Sequence, residues 1–423
     1  MKQVNSPETP DFSRSQRCCH LLLMLCLPGT QLTPDEISRW NHVETPVTRQ
    51  DITEAVQELQ RYSQLEINRD PQGYLHMHGA VVSHHLCFLH TLRRALRISP
   101  EFVSTYFVPI LKRHLQQSQI SKALYDECNI QSLIRHCAQQ LQREFSPRDC
   151  HFLQIYLQYL LIYDEKMEFT PAQIYWLSTR AEYTLAREIT RCWQKQGWQQ
   201  NPDNVARMLA LLFIQIYIPD ADHPAQHHEQ RLLQAVQQLI QQFQHLSGMQ
   251  FSNYDALRTQ LFTHLSQALE RIQFMQSIDP VLVDDVAQQY PRLLRTTRAA
   301  LVQFEQHFSL RFPEEEIGLV AIIFGAWLMQ DGALQEKQIL LLTGCNRELE
   351  QKVEQQIREL TLLPLAIKYQ PVEEYQRNGA PGDISLVITP YSTTLPLFSP
   401  PLIHTELPLG KNQQQSIRSL LES

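Results

Sequence analysis

Motifs of several common enzyme classes are missing from this chain of 423 residues. It has no P-loop, no G-x-G-x-x-G and no G-x-S-x-G, so the functions of an ATPase, a dehydrogenase or a hydrolase have no support. The nine cysteines form no C-x-x-C pair, which argues against a disulfide framework or a zinc ribbon and fits a reducing cytoplasm. We therefore predict a cytoplasmic protein with no catalytic residue, no metal site and no cofactor.

Long hydrophobic runs are missing too. No apolar run reaches the roughly 18 residues that a membrane-spanning helix needs. The run Cys18–Leu27 (CCHLLLMLCL) imitates a signal peptide, but it lacks a small-residue cleavage site and Thr33 follows it as a helix N-cap. We predict that this run is the first buried helix of a soluble domain.

The chain also lacks an excess of positive charge, since its formal net charge is −7. Residues 1–115 hold 12 Lys/Arg and 11 Asp/Glu, whereas the remainder holds 25 and 33. Bulk binding of nucleic acid is therefore excluded, and a polyanionic partner is expected to meet the N-terminal part first.

Glycine is scarce, with 12 residues, and most of the chain has the spacing of amphipathic helices. Two polar segments without periodicity, Pro219–His228 and Met329–Lys337, are predicted linkers. After the second linker, short apolar runs alternate with helical patterns, which indicates a small parallel sheet. The predicted fold class is mainly α with a small C-terminal α/β domain.

The N-terminal part has the pattern of a winged helix-turn-helix. Thr33-Pro34-Asp35-Glu36 is a strong helix start, and a second start is predicted at Thr48. A hairpin is predicted to follow, with its turn at Asp70–Gly73. The "T-R-x-D-I" helix and the "D-P-x-G-Y" wing resemble those of phosphotransferase-controlled activators such as the mannitol-operon regulators. The first turns of a recognition helix read base edges, so Arg49, Gln50 and Thr53 are the predicted DNA-binding residues.

The charge of this N-terminal part is unfavourable for DNA. Residues 30–80 contain eight acidic and four basic side chains, and Asp51, Glu54 and Glu58 lie on the proposed recognition helix. Since DNA affinity comes mainly from Lys and Arg on phosphates, this part is expected to bind weakly alone. Either dimerisation or the basic stretch Arg93–Arg97 supplies phosphate contacts, or the winged helix serves packing and protein contact.

Residues 228–333 resemble one regulation domain (PRD) of the bacterial sugar phosphotransferase system, a helical module that takes phosphoryl groups on histidine. The family pattern is matched as follows: His264-Leu265, Arg271, Asp279-Pro280 for Asn-Pro, Tyr290-Pro291, Glu316-Ile317-Gly318, and Ile323 in place of the second histidine.

This resemblance implies that His264 is a phosphorylation site and that Arg271, two turns along the same helix, pairs with the phosphate. Isoleucine cannot carry a phosphoryl group, so a switch that needs two phosphohistidines is at least half lost. From its spacing with Leu261, Leu265 and Ala268 alone, His264 fits a structural histidine half-buried in a helical bundle better than a phosphorylation site.

Residues 120–220 resemble a more degenerate first copy. Its final helix is predicted in Asn201–Phe213, with Leu211 at the histidine position. His151 marks the first histidine, but Gln158 lies where the arginine is expected. We predict that this copy carries no phosphate and serves packing and dimerisation.

Residues 338–423 resemble the IIB domain of a phosphotransferase permease, whose reactive cysteine ends the first strand. Thr343 occupies that position here, and Cys345 comes two places later. The acidic Glu348 and Glu350 would repel a phosphate. Cys345 is either an inert thiol or, with a shifted loop, a phosphate acceptor.

The resemblances cover almost the entire chain and imply transcriptional control by a homodimer, with the phosphocarrier HPr as the donor to His264. The alternatives are a protein-interaction module of the phosphotransferase system that touches no DNA, and a residual phosphocarrier. The predicted domains are a winged helix (15–80), a helical connector (81–119), a degenerate first PRD (120–220), a second PRD (228–333) and a IIB-like domain (338–423).

Overall fold

The structure is a computed structural model, and it describes residues 12–163, 168–276, 281–330, 336–394, 396 and 399–422. The chain divides into two compact units. One comprises Met1–Ile218 with Gln273–Ser277, and the other comprises Pro219–Ile272 with Ile278–Ser423. The boundary at residue 218 coincides with the start of the first predicted linker. Residues 331–335 of the second linker lie outside the described residues.

The first unit begins with helices and one hairpin: α1 (Arg14–Leu25), α2 (Pro34–Asn41), α3 (Thr45–Tyr62), β1 (Leu65–Arg69), β2 (Leu75–Gly79) and α4 (Val81–Ile98). The two strands are antiparallel and pair Leu65 with Gly79 and Arg69 with Leu75. This is the predicted order of a helix pair and a hairpin; the assignment as a winged helix stays a prediction.

The helix start at Thr33 is confirmed, because its side chain caps α2 in a capping box with Glu36. The start predicted at Thr48 is wrong. Helix α3 begins three residues earlier with Pro46 in its first turn, and Thr48 is fully buried with its hydroxyl 2.7 Å from that of Ser38. Proline is favoured in a first helical turn because the missing N–H is unpaired there anyway.

The first helix also begins earlier than the apolar run predicts. Ser13 and Gln16 form a capping box ahead of α1, so the helix starts in a polar segment and ends at Leu25. The buried part of that run is confirmed, since every residue from Cys18 to Met24 is buried.

The rest of the first unit is helical: α5 (Pro100–Phe102), a π-helical segment (Val103–Phe107), α6 (Val108–Gln117), α7 (Lys122–Tyr125), α8 (Glu127–Leu141), α9 (Pro147–Ile162), α10 (Pro171–Ser178), α11 (Ala181–Lys195) and α12 (Pro202–Gln215). Stacked aromatic rings lie at the centre of its core, with 3.8 Å between the centroids of Phe88 and Tyr159. Such pairs bury a large apolar area.

The second unit begins with five helices: α13 (His227–Ser247), α14 (Tyr254–Gln273), α15 (Val281–Gln289), α16 (Pro291–Phe308) and α17 (Glu314–Gln330). Their apolar faces meet around Phe243 and Phe324, whose rings stack at 4.0 Å. Leu261 and Leu265 of α14 are fully buried in the same core. His264, which precedes Leu265 on the same helix, is only half-buried at the edge of this core.

The second unit ends in a small α/β domain: β3 (Lys337–Thr343), α18 (Arg347–Arg358), β4 (Leu365–Pro371), α19 (Val372–Asn378), β5 (Leu386–Thr389), β6 (Leu402–His404) and α20 (Lys411–Glu422). The strands form one parallel sheet in the order β4-β3-β5-β6. The predicted fold class, mainly α with a small C-terminal α/β domain, is confirmed. No helix in the described part of the chain has the length and apolarity needed to cross a bilayer.

Candidate functional site

The pocket that contains His264 lies in the second unit and has a volume of about 870 Å³. The imidazole of His264 is half-buried, with 16% of its side chain exposed. Ile323, which stands at the second acceptor position of the PRD pattern, lines the same pocket although it is itself buried. Helices α14 and α17 therefore bring the two positions together, and only one of them has a nucleophilic side chain.

Glu316, in the first turn of α17, lies against the imidazole of His264. Its side chain is 2% exposed, and its Oε2 lies 3.5 Å from Nε2 of His264. Arg271 donates from Nε to Oε1 at 2.6 Å and from Nη2 to Oε2 at 3.0 Å. The predicted partner of Arg271 was a phosphate, whereas in this structure it binds a carboxylate in the two-point geometry that guanidinium favours.

The charge of Glu316 is maintained despite its burial. Burial by itself would raise the pKa of this carboxyl, but the contacts with His264 and Arg271 outweigh burial and lower the pKa below its usual range. Glu316 is consequently a carboxylate at neutral pH. It presents one negative charge to the Nε2 side of the imidazole.

Arg258 is a pocket residue that the family pattern does not mark. Its Nη2 lies 2.7 Å from Asp222, and its Nη1 lies 3.2 Å from Asp255. Both aspartates are largely exposed, at 64% and 80%, whereas the arginine side chain is 18% exposed. The spacing that pairs His264 with Arg271, two turns along the helix, could not indicate Arg258. Arg258 lies less than two turns before His264, so it does not follow that spacing.

The other matched PRD positions have structural roles where they are described. Tyr290 is the N-cap of α16 and Pro291 its first residue. Asp279-Pro280 lies outside the described residues.

In residues 120–220, the predicted degenerate first copy, the expected acceptor positions are His151 and Leu211. Leu211 is fully buried, and His151 is exposed. Gln158 is buried and donates from Nε2 to the carbonyl of Tyr125 at 3.1 Å. A glutamine in this role stabilises packing, as expected from the absence of the arginine.

The candidate DNA-facing surface is the first part of α3. Arg49, Gln50 and Thr53 are all exposed. Thr53 also donates its hydroxyl to the carbonyl of Arg49 at 3.1 Å, a local bond that helical threonines commonly make. The exposed positions agree with the predicted outward face, and their role in binding DNA stays a prediction.

The three acidic residues of α3 are paired with arginines of neighbouring helices. Asp51 is buried and receives two hydrogen bonds from Arg17, at 2.7 and 3.1 Å. Glu54 pairs with Arg14. The repulsion of DNA expected from these carboxylates is therefore largely cancelled within the unit.

The basic stretch Arg93–Arg97 is less available than the sequence suggests. Arg94 donates to Glu58 at 2.6 Å and to Ser15 at 2.8 Å. Arg93 donates to the carbonyl of Gln215 at 3.3 Å. These contacts compete with phosphate contacts.

The loop after β3 is the third candidate site, because it follows the carboxyl end of the strand that lies between β4 and β5. The point where strand order reverses is the usual ligand-binding place of an open parallel sheet. Cys345 is exposed there. Glu350 is buried, and its Oε1 accepts hydrogen bonds from the Gly344 N–H at 2.6 Å and from the Tyr391 hydroxyl at 2.8 Å. The predicted effect of Glu350 was repulsion from the start of the helix. The structure places its carboxylate on the loop itself, bound to the kind of backbone donor that holds a phosphate.

The rings of His76 and His78 on β2 lie 6.4 Å apart, measured between centroids, but His76 and His85 have other partners. His76 lies 3.1 Å from Asp70, and His85 is buried against the rings of Tyr159 and Tyr163. Across the described ranges there is no group of three or more His, Cys, Asp or Glu that could hold a metal ion.

Comparisons with known proteins agree with this architecture. A family model described as "PRD domain" matches residues 237–327, and one described as "Stationary phase-inducible protein CsiE, C-terminal domain" matches residues 337–421. The chain is 43% identical over 415 residues to the stationary phase-inducible protein CsiE of Escherichia coli (strain K12), with 97% of each chain covered. It is 25% identical over 184 residues to the transcriptional regulator ManR of Bacillus subtilis (strain 168), covering 40% of this chain and 28% of that protein. The chain therefore belongs to the CsiE family and contains a PRD domain.

Proposed function

We propose that this chain is a DNA-binding transcription regulator whose state depends on phosphorylation of His264 by the phosphocarrier HPr. A regulatory role rather than catalysis is supported by the PRD domain and by the distant similarity to ManR, which is named a transcriptional regulator. The observation that carries the proposal is the single pocket shared by His264 and Ile323. It has the two acceptor positions of a PRD with one reactive group left.

The proposed DNA contact is made by the first turns of α3. Arginine and glutamine are suited to the major-groove edges of guanine and adenine, and Arg49 and Gln50 are exposed on one helix. The acidic residues of α3 are paired within the unit, so the surface is closer to neutral than the sequence suggests. We further propose a homodimer, since two half-sites compensate for the weak binding of each module.

The test of DNA binding is a selection of bound duplexes from random sequence, using the full chain. Arg49→Ala is expected to weaken binding to a selected duplex by about 1–3 kcal/mol, as for an arginine that reads a base edge. Arg61→Ala is the matched control, because Arg61 is exposed on the last turn of the same helix. Equal affinity for all sequences, or equal loss in both variants, contradicts base reading by α3.

The test of the phosphate switch is incubation of the full chain with labelled phosphoenolpyruvate, enzyme I and HPr. Label is expected on the wild type and not on His264→Ala, whereas Cys345→Ser is expected to keep it. No transfer from HPr would refute this donor. Label that is lost in Cys345→Ser would instead indicate the residual phosphocarrier.

A protein-interaction module that touches no DNA is the second candidate. It is favoured by the net charge of −7 and by the engagement of Arg93 and Arg94 in internal contacts. If the selection recovers no sequence and binding to phosphotransferase proteins is measurable, this second function replaces the first.

A further inference from the structure

The two ring nitrogens of His264 have different surroundings. Nε2 is buried and faces Glu316 at 3.5 Å, beyond a good hydrogen-bond length, with no hydrogen-bond partner among the described residues. Nδ1 also makes no hydrogen bond to the described residues. Unlike Nε2, it is not buried. The nitrogen that solvent reaches from the pocket is therefore Nδ1.

Glu316 favours one tautomer of this ring. A carboxylate beside one ring nitrogen stabilises the tautomer that carries the proton there. A proton on Nε2 leaves the lone pair on Nδ1, the nitrogen open to the pocket. Arg271 keeps Glu316 in place through its two hydrogen bonds, so the orientation of the imidazole depends on a buried ion pair.

The same pocket contains a cation that can be released. The contacts of Arg258 with Asp222 and Asp255 involve two exposed carboxylates, and exposed ion pairs are worth about 0–1 kcal/mol. Its Nε is buried without a hydrogen-bond partner in the described residues. Arg258 can exchange its aspartates for a phosphoryl group at little cost, whereas Arg271 would have to abandon a buried carboxylate.

We infer that the phosphoryl group is accepted on Nδ1 of His264, with Glu316 as the positioning residue at Nε2 and Arg258 as the cation that binds the transferred group. This inference rests on the proposed function and adds the acceptor atom and the two residues that serve it.

The transfer step is balanced without a further reactant. The lone pair of Nδ1 attacks the phosphorus of a phosphohistidine donor whose ring carries a proton on its other nitrogen. The donor's P–N bond breaks, its electron pair stays on the donor nitrogen, and the donor leaves as neutral imidazole. The proton on Nε2 stays in place. The positive charge of the phosphorylated ring then lies against the carboxylate of Glu316, which stabilises it.

The experiment uses the full chain labelled with ¹⁵N-histidine and phosphoramidate, a small-molecule phosphoryl donor that needs no partner protein. Phosphorus–nitrogen couplings measured by NMR identify the modified nitrogen, and subtraction of the His264→Ala spectrum removes the other histidines. The expected product in the wild type is the Nδ1 isomer. An Nε2 isomer, or no label at His264 from either donor, overturns the inference.

Two variants test the roles of the neighbours. Glu316→Gln is expected to slow the labelling about 10- to 100-fold, as is typical of residues that orient a ligand histidine, and to give a mixture of isomers. A merely structural residue would not change the isomer ratio. Arg258→Gln is expected to slow labelling by about 100-fold, as for loss of one charge-stabilising donor, with the Nδ1 isomer retained.

Glu316→Asp, which keeps the charge, is the second variant if the glutamine protein is unstable, and it should retain the Nδ1 isomer. Unchanged rates and isomers in all three variants would overturn the assigned roles. Labelling of Nδ1 by phosphoramidate but not by HPr would refute the proposed donor and leave the inference standing. Labelling of Nε2 by HPr would support the proposed donor and refute Nδ1 as the acceptor atom.

Discussion

Glu316 illustrates how single residues of this protein combine burial with charge. Its carboxylate is nearly inaccessible, yet it stays ionised because His264 lies against it and Arg271 binds it at two points. A buried ion pair adds little net stability compared with apolar residues, but removal of one partner leaves a charge without compensation. The site of His264 is therefore sensitive to both members of this pair.

We expect Arg271→Met to lower the free energy of unfolding by about 3–5 kcal/mol, because Glu316 would be left buried without its guanidinium partner. The matched control is Arg295→Met, whose ion pair with Glu359 is exposed, at 61% and 40%, and should cost no more than about 1 kcal/mol. Urea unfolding measures both. Similar losses in the two variants would contradict the burial argument.

His20 provides a pH-dependent contribution in the first unit. Its Nδ1 lies 2.6 Å from the Asn41 side-chain oxygen and its Nε2 lies 2.7 Å from the Ser99 hydroxyl, and its ring stacks on Phe102 at 3.6 Å. Burial, aided by Arg17 and opposed by the Asn41 hydrogen bond, lowers the pKa of His20 from 6.5 to about 4.

Because the folded pKa lies below the unfolded value, the contribution of His20 is complete above pH 6.5 and is lost as the pH falls toward 4. We expect about 2 kcal/mol of stability to be lost from this group between pH 6.5 and pH 5. Urea unfolding of the wild type and of His20→Gln at pH 7, 6 and 5 measures it. The variant should show a flatter pH profile, and parallel profiles would refute the assignment.

At the scale of elements, the α/β domain is organised around the loop that joins β3 to α18. Asn346 caps α18 by accepting from Leu349 N–H, and the Tyr391 hydroxyl accepts from the Asn346 N–H at 3.1 Å. With Glu350 bound to the Gly344 N–H, three backbone donors of this loop and helix start are occupied by groups of the protein.

The same loop leaves no room for a side chain at Gly344. A Cβ atom there would lie 2.8–3.0 Å from ring atoms of Tyr391. We expect Gly344→Ala to cost about 1–3 kcal/mol through this overlap. Gly382→Ala is the control, since nothing lies within 4 Å of a Cβ at Gly382, and it should stay within about 0.5 kcal/mol of the wild type. Thermal unfolding followed by circular dichroism measures both effects. An equal effect at both glycines would contradict the close approach of Gly344 to the ring of Tyr391.

At the scale of the whole molecule, charge limits what the chain can bind. A net charge of −7 opposes the phosphate contacts that dominate sequence-independent binding. Specific binding must then come from a small surface and from two copies acting together. This is why a homodimer belongs to the proposed function.

We expect the full chain to bind mixed-sequence duplex DNA with a dissociation constant of about 10⁻⁵ M or weaker at physiological salt, near the weak end of non-specific binding. Fluorescence anisotropy with a labelled duplex measures it, and a duplex recovered by selection is the positive control. Micromolar or tighter binding to mixed sequence would contradict the charge argument.

Patterns that are local in sequence predict the structure correctly where their physical cause is also local. The capping box at Thr33 involves residues three positions apart. The parallel sheet is indicated by short apolar strands that alternate with helices, and it is confirmed. The sequence pattern predicts the wrong start for α3, because threonine is a residue type that favours the N-cap position. The hydroxyl of Thr48 instead contacts Ser38, ten positions away on another helix.

The sequence by itself determined the classes of element, the order of helix pair, hairpin, bundle and sheet, and the position of one histidine within a PRD pattern. Only the tertiary structure decided which charged groups meet. Arg271 and Glu316 are 45 positions apart, and Asp51 and Arg17 are 34 apart. Partners at such separations are selected by packing of whole helices. A spacing rule within one helix could therefore predict a cation near His264 but not the carboxylate that already holds it.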